Sequence, residues 1–187
     1  SVAVPAAAHA EVAIPSLERG VPVLVEKPMA ASVAEAEAIR AAARSSGAPL
    51  MVGHVERWNG AFRRVRPLID RPRFIEGHRL SSFAGRGLDV DVIFDLMIHD
   101  LDLVASLTPA ALSLVAAVGV PVLTGSTDIA NVRLEFEDGL VANLTASRVS
   151  RERMRKLRIF QTNAYVSIDY AEQEVEVQGE KRRALEQ

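Results

Sequence analysis

The period of the apolar residues changes near residue 57, and that change divides the chain into two kinds of architecture. Ahead of it, short apolar runs alternate with helical patterns. Val2 to Val4 reads as a strand remnant, and Ala6 to Arg19 as a helix closed by Gly20. Val21 to Val25, rich in β-branched residues, reads as a short buried parallel strand. Ser32 to Ser46 carries the clearest helix signal. Ser32 and Glu35 have capping-box spacing, Val33, Ala36, Ile39, Ala42 and Ala43 form an apolar face, and Gly47 ends it. Leu50 to Gly53 is a third strand. The alternation predicts βαβ units in a parallel sheet with right-handed crossovers.

Behind the switch, Arg57, Arg63, Arg64 and Arg66 surround a short helix that Pro67 and Pro72 interrupt. Phe74 to Phe83 reads as a strand, Ala84 to Asp91 as a loop carrying Gly85 and Gly87, and Val92 to Leu107 as a helix stopped by Pro109. The period then becomes two. Leu114 to Leu123, Ile129 to Glu137, Leu140 to Ser147, Lys156 to Thr162, Tyr165 to Asp169 and Glu174 to Val177 read as strands. Hairpin turns fall at Glu137-Asp138-Gly139 and Asn163-Ala164. The expected fold is α/β plus α+β: the end of a parallel domain joined to an antiparallel sheet behind one or two helices.

Composition excludes several classes. With 187 residues, 49% of them hydrophobic, the chain is long enough to bury one large core or two small ones. A formal net charge of −2 gives no electrostatic reason to expect nucleic acid or an acidic membrane as a partner. The absence of Cys removes disulfides, thiolate nucleophiles and Cys-ligated zinc, and fits a reducing, cytoplasmic setting. No uninterrupted apolar run reaches the ~18 residues of a membrane helix. The opening Ser1-Val2-Ala3-Val4 has no basic stretch before its apolar residues, so it is not expected to be a signal peptide. It also has no initiator Met, and the chain is expected to start inside a larger gene product.

Three segments hold residues suited to chemistry. Glu26-Lys27-Pro28 follows the apolar run Val21 to Val25, and ligands of open α/β sheets bind outside the carboxyl ends of strands. Proline keeps Lys27 out of the helical region and fixes its exit direction. An ordinary strand-end turn with a solvated Lys accounts for the same residues. Asp95 and His99 stand four apart on the Val92 to Leu107 helix, hence on one face, where a carboxylate orients an imidazole and favours its protonated form. A surface ion pair is the competing structural reading, with Asp89 or Asp91 capping the helix. A zinc site is disfavoured because one helix offers two ligands and nothing nearby completes a set. Gly53-His54-Val55-Glu56-Arg57-Trp58-Asn59 follows the third strand, where Trp58 could serve only as a junction wedge with Arg57 as its surface partner. His9, near a helix start after Val4-Pro5, is by itself more often structural than chemical.

Taken together in order, Val4-Pro5 with His9, Glu26-Lys27-Pro28, Gly53 to Asn59 and Asp95-x-x-x-His99-Asp100 resemble the Gfo/Idh/MocA family of NAD(P)-dependent oxidoreductases over nearly the whole chain. The wording of Gly53 to Asn59 and of Asp89 to Val92 is closest to members that act on nucleotide-linked amino sugars such as UDP-N-acetylglucosamine. The resemblance implies residues 1–56 as a partial Rossmann domain and 57–187 as a substrate-binding and oligomerisation domain with an open-faced antiparallel sheet. It also implies a split site with a sugar or nucleotide-sugar substrate and NAD or NADP as cofactor. Lys27 would contact the nicotinamide ribose and the substrate hydroxyl, His99 would take the hydroxyl proton, and Asp95 would hold substrate and tune His99. Pro5, His9, Glu26 and Pro28 would line the cofactor cleft, with Arg57 and Trp58 near the nicotinamide.

The chain departs from the family in several respects: it lacks the glycine-rich turn, an acidic residue in the first half placed to read the ribose, and the further sheet or helix expected after the last strand. No Gly-x-Gly-x-x-Gly turn for the pyrophosphate is present, since Gly20, Gly47 and Gly53 are isolated, and that turn is expected upstream of Ser1. Roughly two βαβ units, at about 30 residues each, are expected to be missing. Two alternatives therefore stand beside the dehydrogenase: a non-catalytic oligomerisation module, or a sugar-binding member without cofactor. The first draws on Val132, Leu134 and Phe136 alternating with Val141, Asn143 and Thr145, read as a mixed face suited to a partner sheet, and the resemblance implies that such a face pairs subunits into dimers or tetramers.

Overall fold

The computed structural model describes residues 1–83, 85 and 90–179, and the chain divides into two compact units, Ser1–His54 and Val55–Gln187. In the first unit a 3₁₀ turn (Ala6–Ala8) leads into α1 (His9–Glu18), whose Ala13 and Leu17 are fully buried. β1 (Val23–Val25) and β2 (Leu50–Val52) pair in parallel, and Val2 bridges to Val25, also in parallel. α2 (Val33–Ser46) connects β1 to β2. The capping box forms as its spacing predicts: Ser32 Oγ accepts from the Glu35 amide at 3.2 Å, and the Ser32 amide donates to the Glu35 carboxylate at 3.1 Å. Gly47 ends the helix at φ +71°, a left-handed conformation that favours glycine.

Ile39, Ala42 and Ala43 join the core of this unit, but Val33 does not and is 80% exposed. A helical side chain covers the turn N-terminal to its own Cα, and the first helical residue has no such turn beneath it.

In the second unit, 3₁₀ turns at Val55–Trp58 and Arg66–Leu68 flank α3 (Gly60–Val65). β3 (Phe74–Leu80) follows, and then a helical segment. That segment was expected to be one regular helix. Instead Ile93–Met97 form a π turn and Ile98–Ala105 form α4. Asp91 caps it, its carboxylate accepting from the amides of Ile93 and Phe94 at 2.9 and 3.0 Å; Gly87 and Asp89 lie outside the described residues.

Six strands complete the unit: β4 (Leu112–Val120), β5 (Ile129–Phe136), β6 (Val141–Ser147), β7 (Met154–Gln161), β8 (Ala164–Asp169) and β9 (Glu174–Gly179). Their order in the sheet is β4-β5-β6-β3-β7-β8-β9. The sheet is mixed rather than antiparallel. β3 runs antiparallel to β7 but parallel to β6, with Phe74 opposite Val141 and Leu80 opposite Ser147. Hairpins force antiparallel neighbours, whereas a crossover through a helix, such as the one from β3 through α4, permits a parallel pair.

One face of the sheet carries the core. Ile75, Leu144, Leu157, Ile159, Val166 and Ile168 are fully buried, as are Val65, Met97, Leu103 and Val104 from the helices. The expectation of a mixed face from β5 and β6 is corrected by the register. Val132 lies opposite Leu144 and Leu134 opposite Ala142 on the core side, while Arg133 lies opposite Asn143 and Asn131 opposite Thr145 on the other. Val132, Leu134 and Phe136 are buried, and Val141, Asn143 and Thr145 are half-buried on the opposite face. Every residue of the edge strand β4 is exposed.

Candidate active site

Parallel pairing sets the carboxyl ends of Val2, β1 and β2 side by side in the first unit. The Val2 amide donates to Leu24 O, the Glu26 amide to Val2 O and the Gly53 amide to Val25 O, each at 2.7–2.9 Å. Glu26, Lys27 and Pro28 leave β1 at that edge, Lys27 half-buried and joined to Pro28 by a cis peptide bond. A Cβ on Gly53 would stand 3.0 Å from the Glu26 carboxylate, so a side-chain-free residue lets the two strand ends approach. His9 is 1% exposed, with Nδ1 2.9 Å from Pro28 O and Nε2 2.9 Å from Val4 O. Its ring ties the start of α1 to both strand ends. Pro5 is exposed beside it. The first unit thus gathers Pro5, His9, Glu26, Lys27 and Pro28 on one edge, where open α/β sheets bind ligands.

The second unit holds Arg57, Trp58, Asp95 and His99. Asp95 lies in the π turn and His99 in the first turn of α4, both half-buried. π turns inside helices recur at functional sites. Arg57 does not partner Trp58. Its Nε and Nη2 donate to the two carboxylate oxygens of Asp102 at 2.6 Å each, and Asp102 holds the guanidinium above its ordinary pKa. The cation over the exposed Trp58 ring is Arg63, 5.9 Å from the centroid.

A buried ionic cluster beside His99 escaped the sequence reading. Arg79 of β3 donates from Nε and Nη2 to Asp100 at 3.0 and 2.9 Å and from Nη1 to Glu56 at 2.9 Å. Burial works to lower the Arg79 pKa, and Asp100 and Glu56 more than reverse it, so the guanidinium stays charged. Burial pushes the Asp100 carboxyl up while Arg79 pulls it back. Tyr170 lies under the guanidinium at 5.7 Å; burial first, and Asp100 next, hold its phenol well above its ordinary pKa. The parity of β3 signals the cluster, because an Arg at 79 shares the inward face with Ile75 and Gly77.

Among the described residues, no helix is long and apolar enough to cross a membrane, and no group of three or more His, Asp or Glu is placed to hold a metal ion.

Residues 1–54 match the model for the oxidoreductase family with an NAD-binding Rossmann fold, and residues 51–184 match the Gfo/Idh/MocA C-terminal domain. The chain belongs to the Gfo/Idh/MocA family of oxidoreductases. It is 42% identical over 171 residues to a UDP-N-acetylglucosamine 3-dehydrogenase of Acidithiobacillus ferrooxidans, a match that covers 91% of this chain and 55% of that protein. A solved structure of the Acidithiobacillus ferrooxidans enzyme superposes with a TM-score of 0.90 at 40% identity, over 94% of this chain and 59% of that one. A myo-inositol dehydrogenase of Streptomyces leeuwenhoekii is 32% identical over 75% of this chain and 48% of its own length. The chain spans about half the length of the curated relatives it matches.

Proposed function

We propose that this chain is the substrate-binding and proton-transferring part of an NAD(P)-dependent dehydrogenase that oxidises a hydroxyl carbon of a nucleotide-linked sugar. The observation that carries the reading is 42% identity across 91% of the chain to a UDP-N-acetylglucosamine 3-dehydrogenase. On this reading Lys27, Asp95 and His99 are the catalytic residues.

The residues present fit the nicotinamide end of a dinucleotide. Three parallel strand ends and the close approach of Gly53 to Glu26 leave an edge of the kind such ligands use. Pro5, His9, Glu26 and Pro28 shape that edge in the first unit, and Arg57 and Trp58 are the residues of the second unit that the reading assigns to the nicotinamide. No residue of the chain is assigned to the pyrophosphate, for which a glycine-rich turn is the usual cradle. When bound, the nicotinamide accepts the hydride from the substrate carbon.

The protein's part is the proton. His99 takes the hydroxyl proton as the carbonyl forms, and Asp95, in the π turn before it, is assigned to hold the substrate and orient the ring. Both side chains are half-buried, which leaves a route for the proton to solvent. Lys27 would hold the substrate oxygen and, with the cofactor bound, the nicotinamide ribose. A cytoplasmic, reducing setting suits a chain without Cys.

The reading extends to a homo-oligomer formed through the sheet face that carries no helices. Phe74, Phe160 and Tyr165 form an aromatic ladder there, with ring centroids 5.7 and 5.0 Å apart, beside the Arg158–Glu76 and Lys156–Asp169 pairs.

Oxidation of UDP-N-acetylglucosamine, myo-inositol and glucose, followed by NAD(P)H absorbance in a protein carrying this sequence behind a glycine-rich turn, tests the substrate. The nucleotide sugar is the expected substrate, and activity on the free polyols alone overturns the assignment.

A further inference from the structure

We propose that Arg79, through Asp100 and Glu56, is a positioning residue that aims His99. The inference rests on His99 as the acid/base, although its test needs no turnover.

Arg79 occupies the middle strand of the seven and points inward, with a side chain only 4% exposed. Its two parallel bonds to the Asp100 carboxylate fix orientation as well as distance, since the fork and the carboxylate must be coplanar to match. Asp100 adjoins His99 on α4. Locking Asp100 fixes the rotation of α4 about its axis, and with it the direction in which the Cα–Cβ bond of the adjacent His99 leaves the helix.

The same guanidinium reaches Glu56, whose other oxygen accepts from the Asn59 side-chain amide at 3.2 Å. Both residues belong to the segment that also sends Arg57 to Asp102, two residues beyond Asp100. Helix and sheet meet closely at this point. A Cβ on Gly77 would lie 2.7 Å from Leu144 Cδ2 and 3.8 Å from the Asp100 Cβ.

Adhesion alone does not explain the charges. A well-packed apolar pair of similar volume commonly holds two elements together at least as firmly as a buried ion pair. What the apolar pair lacks is direction, and direction is what an acid/base residue requires.

The test is a ¹H–¹³C NMR titration of the histidine rings in the 187-residue chain. Arg79→Met/Asp100→Leu exchanges the ion pair for apolar contact, and Arg79→Lys keeps the charge but cannot fork. In each variant whose circular dichroism shows a folded chain, the His99 Cε1–H resonance is expected to move and its titration midpoint to change by about half a pH unit or more. The His9 signals, from a ring held by Val4 and Pro28, should stay in place. A folded variant whose His99 resonance and midpoint coincide with those of the wild type overturns the proposal, and Arg79→Lys provides that reading if the double variant unfolds. Turnover retained by His99→Ala would instead reject the catalytic role of His99 and leave the positioning result standing.

Discussion

Asp100 is 3% exposed and Arg79 likewise 3%, so each is tolerable only because the other neutralises it. Arg79→Met alone strands a buried carboxylate and should cost about 3–5 kcal/mol of stability, read as a fall in the urea midpoint. Tyr170 provides the contrast. Its hydroxyl is buried and makes no hydrogen bond among the described residues, so Tyr170→Phe should leave the midpoint unchanged or raise it. A small effect of Arg79→Met would show that Asp100 is not held as an ion. The alternation of Ile75, Gly77 and Arg79 with Glu76 and His78 already marks Arg79 as inward-facing. Its partner was not legible, because Asp100 lies 21 positions later and nothing local links a strand residue to a carboxylate on another element. The Arg57–Asp102 pair is hidden for the same reason, because its partners lie 45 positions apart.

Elements with local causes were the legible ones. The capping box and Gly47 bounded α2, and the hairpin strands followed from period two and from turns at Gly139 (φ +83°) and Asn163 (φ +63°). Features with non-local causes were not legible. The parallel β3–β6 pair follows from a crossover, and the π turn has no distinct period in five residues.

The loop between β4 and β5 belongs with them. Asp128 there accepts from the amides of Val122, Leu123 and Thr124 at 2.6–2.8 Å, from the Thr124 hydroxyl and from Arg148 Nε. Burial acts to raise its carboxyl, yet the Thr124 hydroxyl, the Val122 amide and the Arg148 guanidinium together hold it far below the usual carboxylate range. A carboxyl depressed in the folded state favours folding wherever the unfolded group is ionised. Its contribution is therefore present above the unfolded value of about 4 and is lost as the pH falls toward the folded one. Wild-type urea midpoints should thus drop between neutral and acid pH by more than those of Asp128→Asn, which starts less stable but has lost this dependence. Equal drops in the two proteins would place the acid sensitivity elsewhere.

A single change in the period of the apolar residues is legible in the sequence near residue 57, and the two units, each with its own core, divide between His54 and Val55. What the face without helices covers was less legible, since β5 and β6 divide their residues between core and surface by register alone. Its aromatic ladder and the fully exposed β4 support self-association. Sedimentation should give a dimer or larger species, with Phe160→Glu shifting it toward monomer; a monomeric wild type at micromolar concentration would remove that face as an interface.

Lys27 and His99 are the two side chains to which the proposed chemistry assigns the substrate oxygen and the proton. Steady-state oxidation of UDP-N-acetylglucosamine should therefore be compared for the wild type, Lys27→Ala and His99→Ala in a protein carrying this sequence behind a glycine-rich turn. Each substitution is expected to lower kcat/KM by about a hundredfold to ten-thousandfold, the range of general acid–base catalysis. Unchanged turnover in both variants would contradict the assignment.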